Sequence, residues 1–185
     1  MSKNIDFKKE KNRILPKFEN NVIVDFSSPT VWASTKMNEF TNFLVDDNQF
    51  YKYHLHIFNE IVSLLKNTTV QDAHKNFKHY CVIDGTKRTE VNSIIYKLLE
   101  KVKPTSTSTQ LNEYLEQNFN DQAILEIGIK SVLLIGYYQN NIFNVIFVDY
   151  HHLLFPDVHY NSKDSDIYDI CPYNRAFKKE QENGS

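Results

Sequence analysis

The sequence predicts an α+β fold in which an antiparallel β-meander packs against a helix pair, with an N-terminal strand and two further helices. The last three strand-like segments lie within 123–150, and short links of this kind join antiparallel strands. A long amphipathic segment ahead of them supplies an apolar stripe that can cover one face of the sheet. Four Gly and five Pro are too few for the many turns of a sandwich or barrel.

The first half of the domain predicts one strand followed by two helices. Residues 22–26, VIVDF, are strand formers, and the turn-forming SSP ends them. In 37–44 the apolar residues lie three or four apart, which is the spacing of one helical face. Residues 50–66 repeat this pattern more firmly. We therefore expect two helices that pack on the core.

The next segment predicts a strand and then the helix pair. Residues 76–84, NFKHYCVID, alternate as a strand does, and Cys81 is expected to be a buried thiol within it. From 88 to 102 an unbroken apolar stripe predicts a helix, and a proline at 104 ends it. Thr107 and Gln110 have the spacing of a capping box, which begins a second helix.

The chain closes with three predicted strands, at 123–129, 132–138 and 142–150. The last two are separated by QNN, which is typical of a hairpin because Asn tolerates positive φ. Alternation along the third strand puts Phe143, Val145, Phe147, Asp149 and His151 on one face.

The composition predicts one domain with short polar ends. At 185 residues and 41% apolar content the chain can bury a real core. We divide it into a flexible basic leader (1–20), a single α+β domain (21–170) and a polar tail (171–185). Cys81 and Cys171 are too few for a disulfide framework. The N-terminus does not resemble a signal peptide, and no apolar run reaches the roughly 18 residues of a membrane span. We therefore expect a cytoplasmic protein without a membrane partner.

A first cluster of reactive side chains follows the last predicted strand, in VIFVDYHHLLFP. There Asp149, Tyr150, His151 and His152 come where the apolar pattern stops. An acid beside an imidazole can orient it and favour its charged form, so these residues are candidate catalytic groups. The alternative is an ordinary strand end whose polar groups are satisfied by hydrogen bonds.

No metal or small-molecule cofactor is predicted. His151, His152, Asp157 and His159 offer ligand atoms, but they lack the i, i+4 His pair of a helical zinc site. Adjacent histidines in an extended segment also point to opposite sides. The sequence contains no phosphate-binding glycine loop, nucleophile elbow or cysteine-rich ribbon.

A second cluster, HKNFKHYCVIDGTKR, begins at residue 74 and combines cations with stackable rings. Such a mixture suits phosphates and unpaired bases. The formal net charge of −2 gives no general bias toward nucleic acid, and a solvated lysine-rich helix face is the alternative. His79 is a further candidate catalytic group, and the candidate nucleic-acid-binding residues are Lys78, Lys87, Arg88, Lys130 and Tyr138.

The segment ILEIGIKSVLLIGYYQNNIFNVIFVDYHH, together with the strand–helix–helix order before it, resembles the RelE/ParE-type toxin fold. The resemblance covers 77–150 and implies a small bacterial toxin-like protein that acts on mRNA and has an antitoxin partner. The family commonly places arginines on these strands, whereas this chain has Gly128 and Leu133 or Leu134 there, with Lys130 as the meander's cation.

Two functions are therefore expected from the sequence. The first is a toxin-like protein of a bacterial or mobile-element system, a metal-independent endoribonuclease that acts on mRNA and has RNA as its partner. The second is a non-catalytic phage or mobile-element module that docks on a host protein through exposed aromatic side chains, since tyrosine is favoured at interfaces. The aromatic residues expected at that interface are Tyr137, Tyr138, Tyr150, Phe155, Tyr160, Tyr168 and Tyr173.

Overall fold

A computed structural model describes residues 20–130, 132–156 and 168–175; the rest of the predicted leader and tail lies outside the described residues. A five-stranded sheet forms its centre and confirms the α+β class. The strands are β1 (Ile23–Asp25), β4 (His79–Val82), β5 (Ile124–Ile129), β6 (Val132–Gln139) and β7 (Ile142–Asp149). They lie in the order β1-β7-β6-β5-β4, in which β4 to β7 form the antiparallel meander and β1 pairs parallel to β7.

Helices cover both faces of the sheet. On one face α1 (Asp47–His56), a π-helical stretch (Ile57–Val62) and α2 (Ser63–Lys66) follow one another directly, and we call them the rod. The rod confirms the predicted helix over 50–66. The short α3 (Ala73–Asn76) precedes β4. The other face carries the predicted pair, α4 (Gly85–Val102) and α5 (Ser108–Phe119), and α5 begins with the predicted capping box.

The predicted helix over 37–44 is wrong, because this segment belongs to a small hairpin of β2 (Lys36–Met37) and β3 (Phe40–Thr41). Asn38 has a φ of 53° in the turn between them. The helix-like spacing has a different origin, since Phe40 and Leu44 pack into the hydrophobic cores on opposite faces of the sheet. Apolar residues that serve two different cores therefore have the spacing that is expected of one helical face.

A β-bulge in β7 overturns the predicted assignment of its faces. The register shifts between Ile135 and Gly136, so that Gly136 pairs with Val145 while Ile135 pairs with Phe147. The extra residue on β7 reverses the alternation. Phe143 and Val145 consequently pack on the rod side with Val148 and Tyr150, and Phe147 packs on the α4 side.

The C-terminal described segment, 168–175, packs against the domain. Ile170 forms a β-bridge with Leu44, and the backbone N–H of Tyr173 donates to the carbonyl of Trp32. Cys171 is buried beside them. Packed structure therefore continues past the predicted boundary at residue 170. Within the described ranges, no helix has the length and apolar character to cross a membrane.

Candidate functional site

Four of the candidate residues lie at one end of the sheet together with His56, and we call this end the histidine rim: His56, His79, Lys130, His151 and His152. Strands β5 and β7 end there while β4 and β6 begin there, because neighbouring antiparallel strands run in opposite directions. His56 on the rod reaches the same end, where one ring nitrogen lies 3.0 Å from the carbonyl oxygen of Ile129. The topology thus collects imidazoles from three separate parts of the chain.

Asp149 is fully buried, and its carboxylate holds the turn that follows β7. It accepts hydrogen bonds from the backbone N–H groups of His151 at 3.1 Å and Leu154 at 2.8 Å, and from that of Leu153. Burial raises the pKa of this carboxyl group, and the three N–H donors oppose that rise. Its role is to fix the backbone of the turn, and it does not orient the ring of His151 as predicted.

The ring of His151 packs away from the predicted site. Its Nε2 lies 2.7 Å from the carbonyl oxygen of Phe43, and the ring stacks on Tyr168 with centroids 4.2 Å apart. Tyr53 contacts it edge-on at 5.9 Å. Burial lowers the pKa of the imidazole, so the neutral ring donates its Nε2–H to Phe43. His151 thereby ties β7 to the segment after β3.

The two candidate tyrosines are both buried and unavailable to a large ligand. Tyr150 is 1% exposed and stacks on Tyr53 with centroids 5.5 Å apart. Tyr138 is 8% exposed and packs on Phe143 near the opposite end of β6. Both rings fill the rod-side core, a position that lends no support to the predicted roles of Tyr150 in catalysis and of Tyr138 in stacking on a base.

His79 and His152 meet at the rim, although 73 residues separate them in sequence. Nδ1 of His79 lies 3.3 Å from Nε2 of His152, and the rings meet edge to face with centroids 4.5 Å apart. His152 is buried and has a φ of 58°, a left-handed conformation that turns its side chain toward β4. His79 lies half-buried on the edge strand. One ring nitrogen donates its N–H to the other, which makes this a coupled imidazole pair.

Glu126 and Cys81 lie directly opposite each other on β5 and β4, two residues inside the rim. Burial raises the pKa of Glu126, and its Oε2 has no hydrogen-bond partner among the described residues. The carboxyl group also faces the Cys81 thiol. Partial burial of the sulfur and the nearby Glu126 carboxyl raise the pKa of this thiol to about 12. Cys81 is exposed, contrary to the prediction, but its thiol stays protonated and is a poor nucleophile. In the sequence, Glu126 could have been recognised as a single acidic residue inside an apolar strand.

The predicted cations are mostly engaged in structural contacts. Arg88 donates to the carbonyl oxygens of Phe119 and Gln122, where α5 ends. Lys87 pairs with Glu90 at 2.7 Å and lies over the Phe155 ring. Arg88 therefore joins α4 to the end of α5, and Lys87 is engaged within α4 and with Phe155.

Two predicted cations remain at the rim. Lys130 is 70% exposed in the β5–β6 turn and lies 3.4 Å from Glu60, and Lys78 is exposed next to His79. In the part of the chain that the structure describes, no group of three or more His, Cys, Asp or Glu side chains could hold a metal ion. The chemistry that the rim can support is proton transfer by imidazole.

Comparison with known proteins places the chain in a family. The family model described as Uncharacterised protein UU032 matches residues 28–178. A relative from Ureaplasma parvum serovar 3, Uncharacterized protein UU032, is 27% identical over 177 residues, which cover 95% of this chain and 93% of the relative. No solved structure matches. The matched region contains strands β4 to β7, most of both cores and the histidine rim, and the chain belongs to the UU032 family.

Proposed function

We propose that the protein is a metal-independent endoribonuclease of toxin type that acts in the cytoplasm on single-stranded RNA. The contact between His79 and His152 is the observation that carries this proposal. In such a reaction the ribose 2′-oxygen attacks phosphorus, the bond from phosphorus to the 5′-oxygen breaks, and protons leave the first oxygen and reach the second. Imidazole is the side chain best suited to both transfers near neutral pH.

The geometry supports different roles for the two rings. His79 is the more accessible ring and lies on an edge strand, so it is the group that would exchange protons with RNA. His152 is buried and faces Nδ1 of His79, so it would fix the tautomer and orientation of that ring. Asp149 supports the pair indirectly, because it holds the turn that carries His152.

Incubation of the pure protein with total RNA, with and without a chelator, tests this proposal. We expect cleavage that the chelator does not change, and a loss of about 100-fold or more in His79→Asn. The control is His74→Asn, because His74 is exposed and bonds locally to the carbonyl of Gln71. Intact RNA, or equal cleavage by the wild type and the His79 variant, would rule the proposal out.

Docking on a host or antitoxin protein is a second candidate function, and an apolar stripe along the rod favours it. Tyr51, Leu55 and Phe58 are 65%, 63% and 46% exposed at successive turns of the helix. This stripe differs from the predicted interface, in which Tyr138 and Tyr150 are buried. Of the other tyrosines predicted there, Tyr160 lies outside the described residues.

A growth assay distinguishes the two functions. If expression arrests growth through RNA cleavage, His79→Asn abolishes the arrest and the variant Tyr51→Ser/Phe58→Ser retains it. If docking is responsible, the double variant abolishes the arrest while His79→Asn keeps it. Thermal unfolding of both purified variants confirms that each is folded, which is expected because all three substituted side chains are at least partly exposed.

A further inference from the structure

A groove of about 690 Å³ lies beside the histidine rim, between the rod and the β5–β6 turn. The rod supplies Lys52, Tyr53, Leu55, His56 and Glu60 to its wall, and the turn supplies Lys130. Ligand pockets usually measure about 300–1,000 Å³, so the groove can hold a molecule the size of one nucleotide. The rod is π-helical beside it, a local widening often found at functional sites.

The groove carries an excess of positive charge. Lys52 and Lys130 face the single acid Glu60, whose pKa is lowered by its hydrogen bond with His56 and by Lys130. The side chain of Lys130 is 70% exposed, although its ammonium group lies 3.4 Å from Glu60. Among the described residues, Lys52 makes neither a hydrogen bond nor an ion pair. The groove therefore suits an anionic ligand.

The remaining wall is apolar and connects with the rim. Tyr53 and Leu55 offer flat and aliphatic surface next to the lysines. Tyr53 also stacks on Tyr150 and contacts His151, the two residues that directly precede His152. A ligand with a phosphate and an aromatic ring would match both parts of this wall, since rings stack on tyrosine and phosphates bind lysine.

We propose that this groove binds one nucleotide of single-stranded RNA, with its phosphate between Lys52 and Lys130 and its base against Tyr53 and Leu55. The inference rests on the proposed ribonuclease activity, because the groove contains His56 and Lys130 of the rim to which His79 also belongs. Charge complementarity and the ring-sized apolar wall favour a nucleotide over an acidic peptide, which has no ring to place there.

Titration with adenosine 5′-monophosphate, followed by NMR or calorimetry, tests the groove without any cleavage step. We expect binding that Lys52→Ala and Lys130→Ala each weaken about tenfold. Glu60→Gln should strengthen binding severalfold, because it removes the anion from the groove. Lys66→Ala is the matched control, since Lys66 is an exposed lysine of the same rod outside the groove.

The outcomes separate this inference from the proposed function. Binding of the nucleotide to the wild type, together with RNA that the wild type leaves intact in the cleavage assay, would keep the groove and remove the ribonuclease. If the wild type cleaves RNA, the variants Lys52→Ala and Lys130→Ala cleave it equally well, and the wild type does not bind the nucleotide, then the groove is not the binding site. The ribonuclease proposal would still stand. A polyglutamate peptide that binds more tightly than the nucleotide and depends on the same lysines would also overturn the inference.

Discussion

Asp149 shows how a residue can carry a catalytic type of side chain and still act on the backbone alone. Its buried carboxylate accepts from the N–H groups of His151, Leu153 and Leu154. The turn after β7 would otherwise leave these donors unsatisfied inside the protein. The carboxylate therefore determines where His152 lies, and the effect of removing it should appear first in stability.

Asp149→Asn should destabilise the protein by about 2–3 kcal/mol, because the new amide N–H₂ group faces backbone donors and leaves at least one of them buried without a partner. The free energy of unfolding in urea measures this effect. Glu113→Gln is the control, since this exposed side chain on α5 should change stability by no more than about 0.5 kcal/mol. Equal stability of the two variants would show that the carboxylate does not hold the turn.

The buried carboxyl group of Glu126 should make the stability of the folded protein depend on pH. Burial raises its pKa in the folded state, so the folded protein retains a proton that the unfolded chain releases above about pH 4. This contribution to stability is complete below the unfolded pKa and is lost as the pH rises through the folded pKa. Glu126→Gln should therefore stabilise the protein by about 1 kcal/mol at pH 8, because it avoids the buried charge.

The gain from Glu126→Gln should shrink toward zero near pH 4, where the wild-type carboxyl group is protonated in both states. Urea unfolding of both proteins between pH 4 and 8 measures the difference. Glu116→Gln, at an exposed position of α5, should show no such trend. A gain independent of pH would mean that ionisation of Glu126 does not limit stability.

In the helix pair, a cation that was predicted to bind nucleic acid stabilises the contact between the two helices. Arg88 of α4 donates to the carbonyl oxygens of Phe119 and Gln122, which lie at and just beyond the end of α5. The last carbonyl groups of a helix lack partners within it, so this guanidinium satisfies groups that would otherwise need water. The two helices are joined by a polar contact as well as by their apolar stripes.

Arg88→Ala should lower the unfolding free energy by about 2 kcal/mol, since two charge-assisted hydrogen bonds are lost. Lys97→Ala on the same helix removes only an exposed pair with Glu100 and should cost about 0.5 kcal/mol or less. Chemical denaturation compares the variants. If Arg88→Ala is no less stable than Lys97→Ala, the contact with α5 does not contribute.

Elements with local signals could be predicted from the sequence. The stripe of α4 and the capping box of α5 are set by spacing alone, and the meander by its short links. The hairpin β2–β3 could not, because Phe40 and Leu44 serve different cores. The bulge opposite Gly136 and the parallel pairing of β1 are likewise decided by packing between distant parts of the chain.

The candidate site was predictable in composition but not in arrangement. His79 and His152 were both candidates, yet their contact depends on the left-handed backbone of His152, which carries no clear local signal. Strand alternation suggested that Asp149 and His151 act together, but β7 ends at Asp149 and the alternation ends with it. Glu126 and the groove beside Lys52 appear only once the sheet and rod are assembled.

The molecule as a whole has two hydrophobic cores, one on each face of a single sheet. Ile61 is fully buried in the rod-side core, and Leu98 is fully buried in the core under α4. Strands β5, β6 and β7 contribute side chains to both cores. Loss of either core should therefore remove the support of the other, and the domain should unfold in one cooperative step.

Trp32, the single tryptophan, packs against the rod-side core and reports on its unfolding by fluorescence. Ile61→Ala and Leu98→Ala should each destabilise the protein by about 2–5 kcal/mol as measured at Trp32, because each leaves a cavity in a packed core. In the opposite case, the fluorescence transition of Leu98→Ala stays where it is in the wild type, while circular dichroism shows that helix is lost earlier. This result would indicate that the two faces unfold independently.

The parallel pairing of β1 with β7 has a consequence for synthesis on the ribosome. Among the described strands β1 emerges first, and its partner residues on β7 are 142–144, so it waits until more than a hundred further residues have been translated. At about 5–20 residues per second, this delay lasts on the order of ten seconds. A transcript truncated before Ile142 would yield a chain in which β6 is an open edge, a form suited to aggregation and to clearance by proteases.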